Sequence, residues 1–363
     1  MALPTYWDYL KLEELLGLQG GLEGDESQLM PDELHFIIVH QVFELWFKLV
    51  LRELRLARDH LAAPRVAEEE IPYVVHHLRR VNQILRLGVD QFQVMETLTP
   101  QDFLAFRDKL VPASGFQSVQ MREVELLLGL SETHRASVGL VAPLEHIRSL
   151  AAGSPGGASA WGRVERAREE LSLRSALHNW LYRTPICGSS PDQPDDEERV
   201  GAFVQGYLDA IQSHHQVQGR AMVEALGERT AEARFQSATA MARDFLLATD
   251  APEADRARSR RVRAGLLFIE SYRELPLLAW PRTLIDTVVE LEELLVLWRT
   301  RHARMVERVI GRRVGTGGSS GVDYLDQTTK IRVFTELWTV RTLLLPKTAL
   351  PALRGVEAYG FAR

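Results

Sequence analysis

The 363-residue chain has a single cysteine, Cys187. No disulfide can form within it, which fits a reducing cytoplasm. It has no basic excess: the formal net charge is −6, so the positive stripe that a nucleic-acid partner requires is missing. It has no uncharged apolar run of roughly 18 residues, the length a membrane helix needs. The opening residues, Met1-Ala2-Leu3-Pro4-Thr5-Tyr6-Trp7-Asp8, show neither the basic start nor the apolar run of a secretory signal. Strict apolar/polar alternation is scarce, which argues against half-buried strands. Metal-type spacings are also absent: neither Glu-x-x-His nor His-x-x-x-His occurs, and the adjacent pairs His76-His77 and His214-His215 point to different helix faces. The expectation from these absences is an all-α, cytoplasmic chain with no nucleic-acid or membrane partner. Its hydrophobic (45%) and charged (25%) contents are those of an ordinary globular protein.

Helical periodicity runs nearly throughout. Pro31, Asp32 and Glu33 make a good helix start, with acids near the positive end of the dipole. A long helix is expected from Leu34 to Leu61, apolar on most sides in its first half and therefore buried. A second should run from about Pro72 to Leu98. A third starts at Thr99-Pro100-Gln101-Asp102 and carries Phe103, Phe106, Arg107 and Leu110, until Pro112 and Gly115 break it. Further helices are expected over Gln117–Leu130, Val200–Leu247, Ala264–Leu275, Arg282–Ile310 and Lys330–Leu345. The proline- and acid-containing stretch from Cys187 to Glu198 reads as a solvated, mobile excursion. No internal repeat appears. The organisation expected is one helical-bundle domain over residues 1–363, with residues 131–270 as a variable helical insertion.

Two histidines sit in apolar company. Trp298, His302, Met305, Val306 and Val309 share one helix face. Such a face suits a heme, which needs an imidazole for iron, flat apolar walls and a group that orients the ring. Phe36, His40, Phe43 and Phe47 share another face, beside Trp46. Taken alone, each pattern also fits a core histidine bonded to a carbonyl. Gly315 to Gly321 holds four glycines in seven residues together with Thr316, Ser319 and Ser320. It is not a P-loop, because no Gly-Lys-Ser/Thr follows. A flexible linker has this composition too, but a lid over a ligand better suits its place between two strongly patterned helices. Arg107, on an aromatic-lined face with Phe103, is suited to grip a carboxylate bidentately.

Together these pieces resemble the tryptophan 2,3-dioxygenase family. The resemblance is carried by Tyr6-Trp7-Asp8-Tyr9-Leu10-Lys11-Leu12, by Asp32-Glu33 through Lys48, and by Phe106-Arg107-Asp108 with Pro112-Ala113-Ser114-Gly115-Phe116-Gln117-Ser118. Trp298-Arg299 with His302, and Gly315 to Gly321, complete it. It covers roughly residues 5–130 and 275–345, and Glu336-Leu337-Trp338 with Arg341-Thr342 looks like the bacterial branch. The resemblance implies a heme b enzyme that inserts O2 across the indole C2–C3 bond of L-tryptophan to give N-formylkynurenine. It implies that His302 is the proximal ligand to heme iron, with Trp298 behind it. His40 would be the catalytic residue on the distal side, accepting from the indole N–H. Arg107 and Thr316 would bind the carboxylate and ammonium end; Phe36, Phe103 and Leu110 would wall the indole; Ser114 and Arg122 would contact heme propionates. Tyr6, Tyr9 and Leu10 would complete the pocket of a neighbouring subunit in an intertwined homotetramer.

The chain departs from the family pattern at Pro31, Trp7 and His35, and residues 131–270 match poorly. An alternative outcome is therefore a heme monooxygenase that converts a substituted tryptophan, such as a β-methyl derivative, to a 2-oxindole. A non-enzymatic heme-binding sensor is a third reading, against which Arg107 and Thr316 argue.

Overall fold

A computed structural model describes residues 3–132, 143–153, 156–227, 230–315 and 321–360. Among them no strand forms beyond an isolated bridge between Ile186 and Ser189. The α-helices, in chain order, are α1 (Tyr6–Leu10), α2 (Leu12–Leu16), α3 (Glu33–Ala62), α4 (Ile71–Met95), α5 (Pro100–Phe106) and α6 (Val119–Leu128). They continue with α7 (Pro143–Ala151), α8 (Gly157–Glu169), α9 (Leu173–Arg183), α10 (Asp196–Leu226), α11 (Ala231–Leu247) and α12 (Glu253–Ser271). The last are α13 (Ala279–Ile310), α14 (Val322–Thr328) and α15 (Thr335–Thr342). Backbone contacts divide the chain into two compact units. The first is Met1–Leu54, Arg79–Glu170 and Leu291–Ile331; the second is Arg55–Leu78, Leu171–Glu290 and Arg332–Arg363.

In the first unit, local chemistry sets the helix starts. The Thr99 hydroxyl accepts from Asp102 N–H at 3.2 Å ahead of Pro100, which opens α5. The Ser118 hydroxyl accepts from Met121 N–H at 3.2 Å and opens α6; Gly129, at φ 113°, closes it. Val39, Phe43 and Phe47 of α3, Phe92 and Met95 of α4, Phe103 and Phe106 of α5 and Trp298, Met305 and Val309 of α13 form one apolar cluster. α3 is a core helix, as expected, with Val39, Phe43, Phe47, Val50, Leu51 and Leu54 buried, while Ile38 and Leu45 on its other side are exposed. By length and composition α3 is apolar enough to cross a membrane. Its acids have built-in partners instead. Glu44 accepts from Ser118 and Gln120, and Glu53 pairs with Arg80 at 2.8 Å.

In the second unit, α12 is buried from Arg261 to Ser271 and packs on α9. Gly265 makes that approach possible, since a Cβ there would lie 2.8 Å from the Leu181 carbonyl oxygen. Here several sequence expectations need correction. The stretch Val200–Leu247 is two helices, because Gly227 takes a left-handed φ of 64° and ends α10. The supposed solvated excursion at 187–198 is partly interior. Asp196 and Ser189 are buried, and Asp196 pairs with buried Arg261 at 3.3 Å. Three acids in the first turn of α10 favour the positive end of its dipole, so the helix starts at Asp196. α12 starts at Glu253, before the expected Ala264; the arginines of its first turns hide the apolar period. The closing helix is shorter than Lys330–Leu345. Helices α7, α8 and α9 went unread from the sequence.

The Gly265→Ala substitution gains roughly 1 kcal/mol of helix propensity but forces a backbone contact that cannot relax. It should destabilise the chain by about 1–3 kcal/mol in urea unfolding. An unchanged midpoint would contradict the close α9–α12 approach.

Candidate active site

The site lies wholly within the first unit, where α3, α5 and α13 converge. A cavity of about 450 Å³ is lined by Phe36, His40, Phe103, Arg107, Leu110, Ser114 and His302, among others. A smaller cavity of about 110 Å³ is lined by Trp298, Phe92, Arg122 and Tyr324. His40, Glu44, Ser118, His302 and Met305 line both, so the two cavities adjoin.

His40 is four residues after Phe36, so its ring meets the Phe36 carbonyl one helical turn back: Nδ1 lies 2.8 Å from that oxygen. A carbonyl only accepts, so Nδ1 carries the proton and Nε2 keeps a lone pair. The Phe36 ring lies 4.1 Å away, centroid to centroid. Burial pushes the His40 pKa below its ordinary value, partly offset by the Phe36 carbonyl and by Glu44. His40 is thus a neutral acceptor on the cavity wall.

His302 is held between Phe92, near-parallel at 5.5 Å, and Trp298 at 5.2 Å. Trp298 is itself clasped edge-on by Phe43 and Phe47 at 6.0 and 5.9 Å. Gly88 of α4 makes room for it: a Cβ there would sit 3.3 Å from Trp298 Cδ1. Burial pushes the His302 pKa down to about 4, with His40 and Arg122 adding to the shift. Its imidazole is therefore neutral near pH 7 and can donate a lone pair to a metal.

A chain of ion pairs lines the far side. Arg122 meets Glu125 at 2.6 Å, and Glu125 meets Arg299 at 3.4 Å; the side chains are all but buried. Several buried donors around the cavities find no acceptor among the described residues, including Trp298 Nε1, Arg122 Nε and Arg107 Nε. Orphaned buried donors are costly in a finished protein interior, so their presence marks a place for an acceptor that the described residues do not supply. Arg107 lies in the 3-10 turn Arg107–Leu110 that follows α5, not on the helix itself; its Nη2 donates to the Val314 carbonyl at 2.5 Å.

The structure brings together most of the residues singled out from the sequence: Phe36, His40, Phe103, Arg107, Leu110, Ser114 and His302 in the larger cavity, Trp298 and Arg122 in the smaller. Tyr6, Tyr9 and Leu10 line neither cavity; they sit on α1, exposed by 70%, 79% and 43%. Thr316 lies outside the described residues. Sequence reasoning missed Glu44, Phe92, Gly88 and Tyr324. Only Glu44 left a local trace, at i+4 from His40.

The Tryptophan 2,3-dioxygenase family profile matches residues 1–344. The chain is similar to tryptophan 2,3-dioxygenase 2 of Ralstonia nicotianae, with 49% identity covering 100% of this chain and 99% of that protein. It is 48% identical to tryptophan 2,3-dioxygenase of Sorangium cellulosum over 98% of this chain and 87% of the relative. It is 37% identical to tryptophan 2,3-dioxygenase of Alteromonas mediterranea, covering 96% and 95%.

The depressed pKa of His302 sets a pH window. Above pH 6.5 the ring is neutral in folded and unfolded chains alike. Between 6.5 and about 4 only the unfolded chain takes the proton, so stability falls as pH drops, by about 3 kcal/mol in total from this residue. Urea unfolding of ligand-free protein should show that loss, and His302→Leu should flatten it. An equal acid dependence in both proteins would contradict a buried neutral ring.

Proposed function

The chain belongs to the tryptophan 2,3-dioxygenase family, and from that premise we propose that it opens the indole ring of L-tryptophan with O2 to give N-formylkynurenine. One observation carries the reading. A neutral acceptor on His40, a neutral imidazole on His302 and a guanidinium on Arg107 all border one apolar cavity.

Heme b is the group this chemistry needs, and the residues fit it. His302 would offer a lone pair to iron, Trp298 and Phe92 flat apolar walls and Met305 an apolar contact, and Arg122, with a buried N–H that finds no acceptor among the described residues, would suit a propionate. Ser114, which lines the adjoining larger cavity, is assigned to the propionates as well. When bound, the heme iron supplies the activation of O2.

The chain's own residues supply position and dryness. Arg107 binds the substrate carboxylate through paired N–H donors, which fixes one end of the amino acid. Thr316 is assigned to the carboxylate and ammonium of the same end. His40 Nε2 accepts the indole N–H and fixes the other end, so the ring cannot swing. Because burial keeps His40 unprotonated, it remains an acceptor and places no charge against the indole. Phe36, Phe103 and Leu110 wall the ring and exclude water. Tyr6, Tyr9 and Leu10 of α1, and Ile38 and Leu45 of α3, are large apolar side chains left exposed in a single chain. They support an assembly in which α1 completes the cavity of a neighbouring copy, in a homotetramer.

With ¹⁸O2, mass spectrometry of the product should show both labelled atoms in N-formylkynurenine. A product carrying a single labelled atom would overturn the dioxygenase reading in favour of oxindole formation. Arg107→Ala should raise KM for tryptophan about 10- to 100-fold, the size of a lost charge-assisted contact; an unchanged KM would remove Arg107 from the substrate site.

A further inference from the structure

Glu44 lies one turn after His40 on α3 and lines both cavities. Its carboxylate accepts from the Ser118 hydroxyl at 2.5 Å and from Gln120 Nε2 at 2.8 Å, and the same Gln120 nitrogen donates to the Glu44 main-chain carbonyl at 2.7 Å. Ser118 is also the cap of α6: its oxygen accepts from Met121 N–H while its hydrogen goes to Glu44. So one carboxylate decides where α6 begins relative to α3.

What α6 carries makes this matter. Arg122 and Glu125 are on it, and Glu125 meets Arg299, three residues before His302 on α13. A polar path therefore runs from the helix of His40, through Glu44, Ser118, Glu125 and Arg299, to the helix of His302. The direct contact between those helices is apolar: Phe43 and Phe47 against Trp298. Apolar contacts are non-directional and tolerate sliding, whereas hydrogen bonds fix distance and angle. We infer that Glu44 is a positioning residue, which sets the register of the two histidine-bearing walls and so the spacing between the imidazole that holds heme and the imidazole that meets the substrate. Its role is bond geometry and not charge: glutamine in its place, with its amide oxygen turned to Ser118, keeps the acceptor that holds the α6 cap and gives up only the side-chain bond to Gln120, whose nitrogen stays on the Glu44 main-chain carbonyl.

The inference rests on the heme reading above, and its test separates the two. Heme-loaded wild type, Glu44→Ala, Glu44→Gln and Ser118→Ala are compared for heme loss to excess apomyoglobin, for kcat and KM, and for far-UV dichroism. The expected result is that Glu44→Ala stays helical, loses heme about tenfold faster, and drops kcat by about 10- to 100-fold with KM nearly unchanged, the cost of a slightly misplaced pair. Glu44→Gln, which keeps the Ser118 bond, should recover most of the loss in both quantities. Ser118→Ala should shift both in the same direction as Glu44→Ala, and it keeps the test decisive if Glu44→Ala does not fold. Wild-type heme loss and kcat in Glu44→Ala or in Ser118→Ala would overturn the inference, as would a Glu44→Gln protein as impaired as the alanine variant. A wild-type protein that takes up no heme would instead sink the heme reading.

Discussion

Two imidazoles are kept neutral by burial beside one largely apolar cavity, and the site depends on that constraint. A protonated His302 has no lone pair for a metal, and a protonated His40 cannot accept from an N–H. Burial does this work at both positions. Because desolvation disfavours the charged form, the same aromatic walls that shape the cavity also set the protonation state of its two polar groups. Packing and chemistry are here a single property of the helices.

The surroundings divide the remaining tasks. Phe92 and Trp298 hold the His302 ring from its sides, and Trp298 reaches that position because Gly88 has no side chain. The Phe36 carbonyl chooses the His40 tautomer through nothing more than the i, i+4 geometry of a helix. Buried ion pairs are a poor source of stability, since desolvation offsets most of their attraction. The Arg122–Glu125–Arg299 chain is better understood as fixing the orientation of α6 against α13.

How much of this the sequence discloses follows from the range of each interaction. His40, His302, Phe36 and Trp298 were legible because helical period alone places them on apolar faces, and Arg107 because its aromatic neighbours are local. The family resemblance then joined fragments separated by more than two hundred residues. Phe92, Gly88 and Tyr324 were not legible. Each matters only through a partner on another helix, and none stands in a pattern of its own. The helix start at Asp196 was hidden for a related reason: a proline- and acid-containing stretch looks solvated until a distant arginine, Arg261, pairs with one of its acids. Thr316 was singled out from sequence and stands outside the described residues.

Cavity rescue tests the central assignment most directly. His302→Gly should bind ferric heme poorly, with a weakened Soret band, and millimolar imidazole should restore a wild-type-like spectrum by supplying the missing ring from solution. His40→Gly should bind heme without such help. A His302→Gly protein that holds heme as tightly as the wild type, with a spectrum indifferent to imidazole, would contradict the assignment of that ring as the iron ligand.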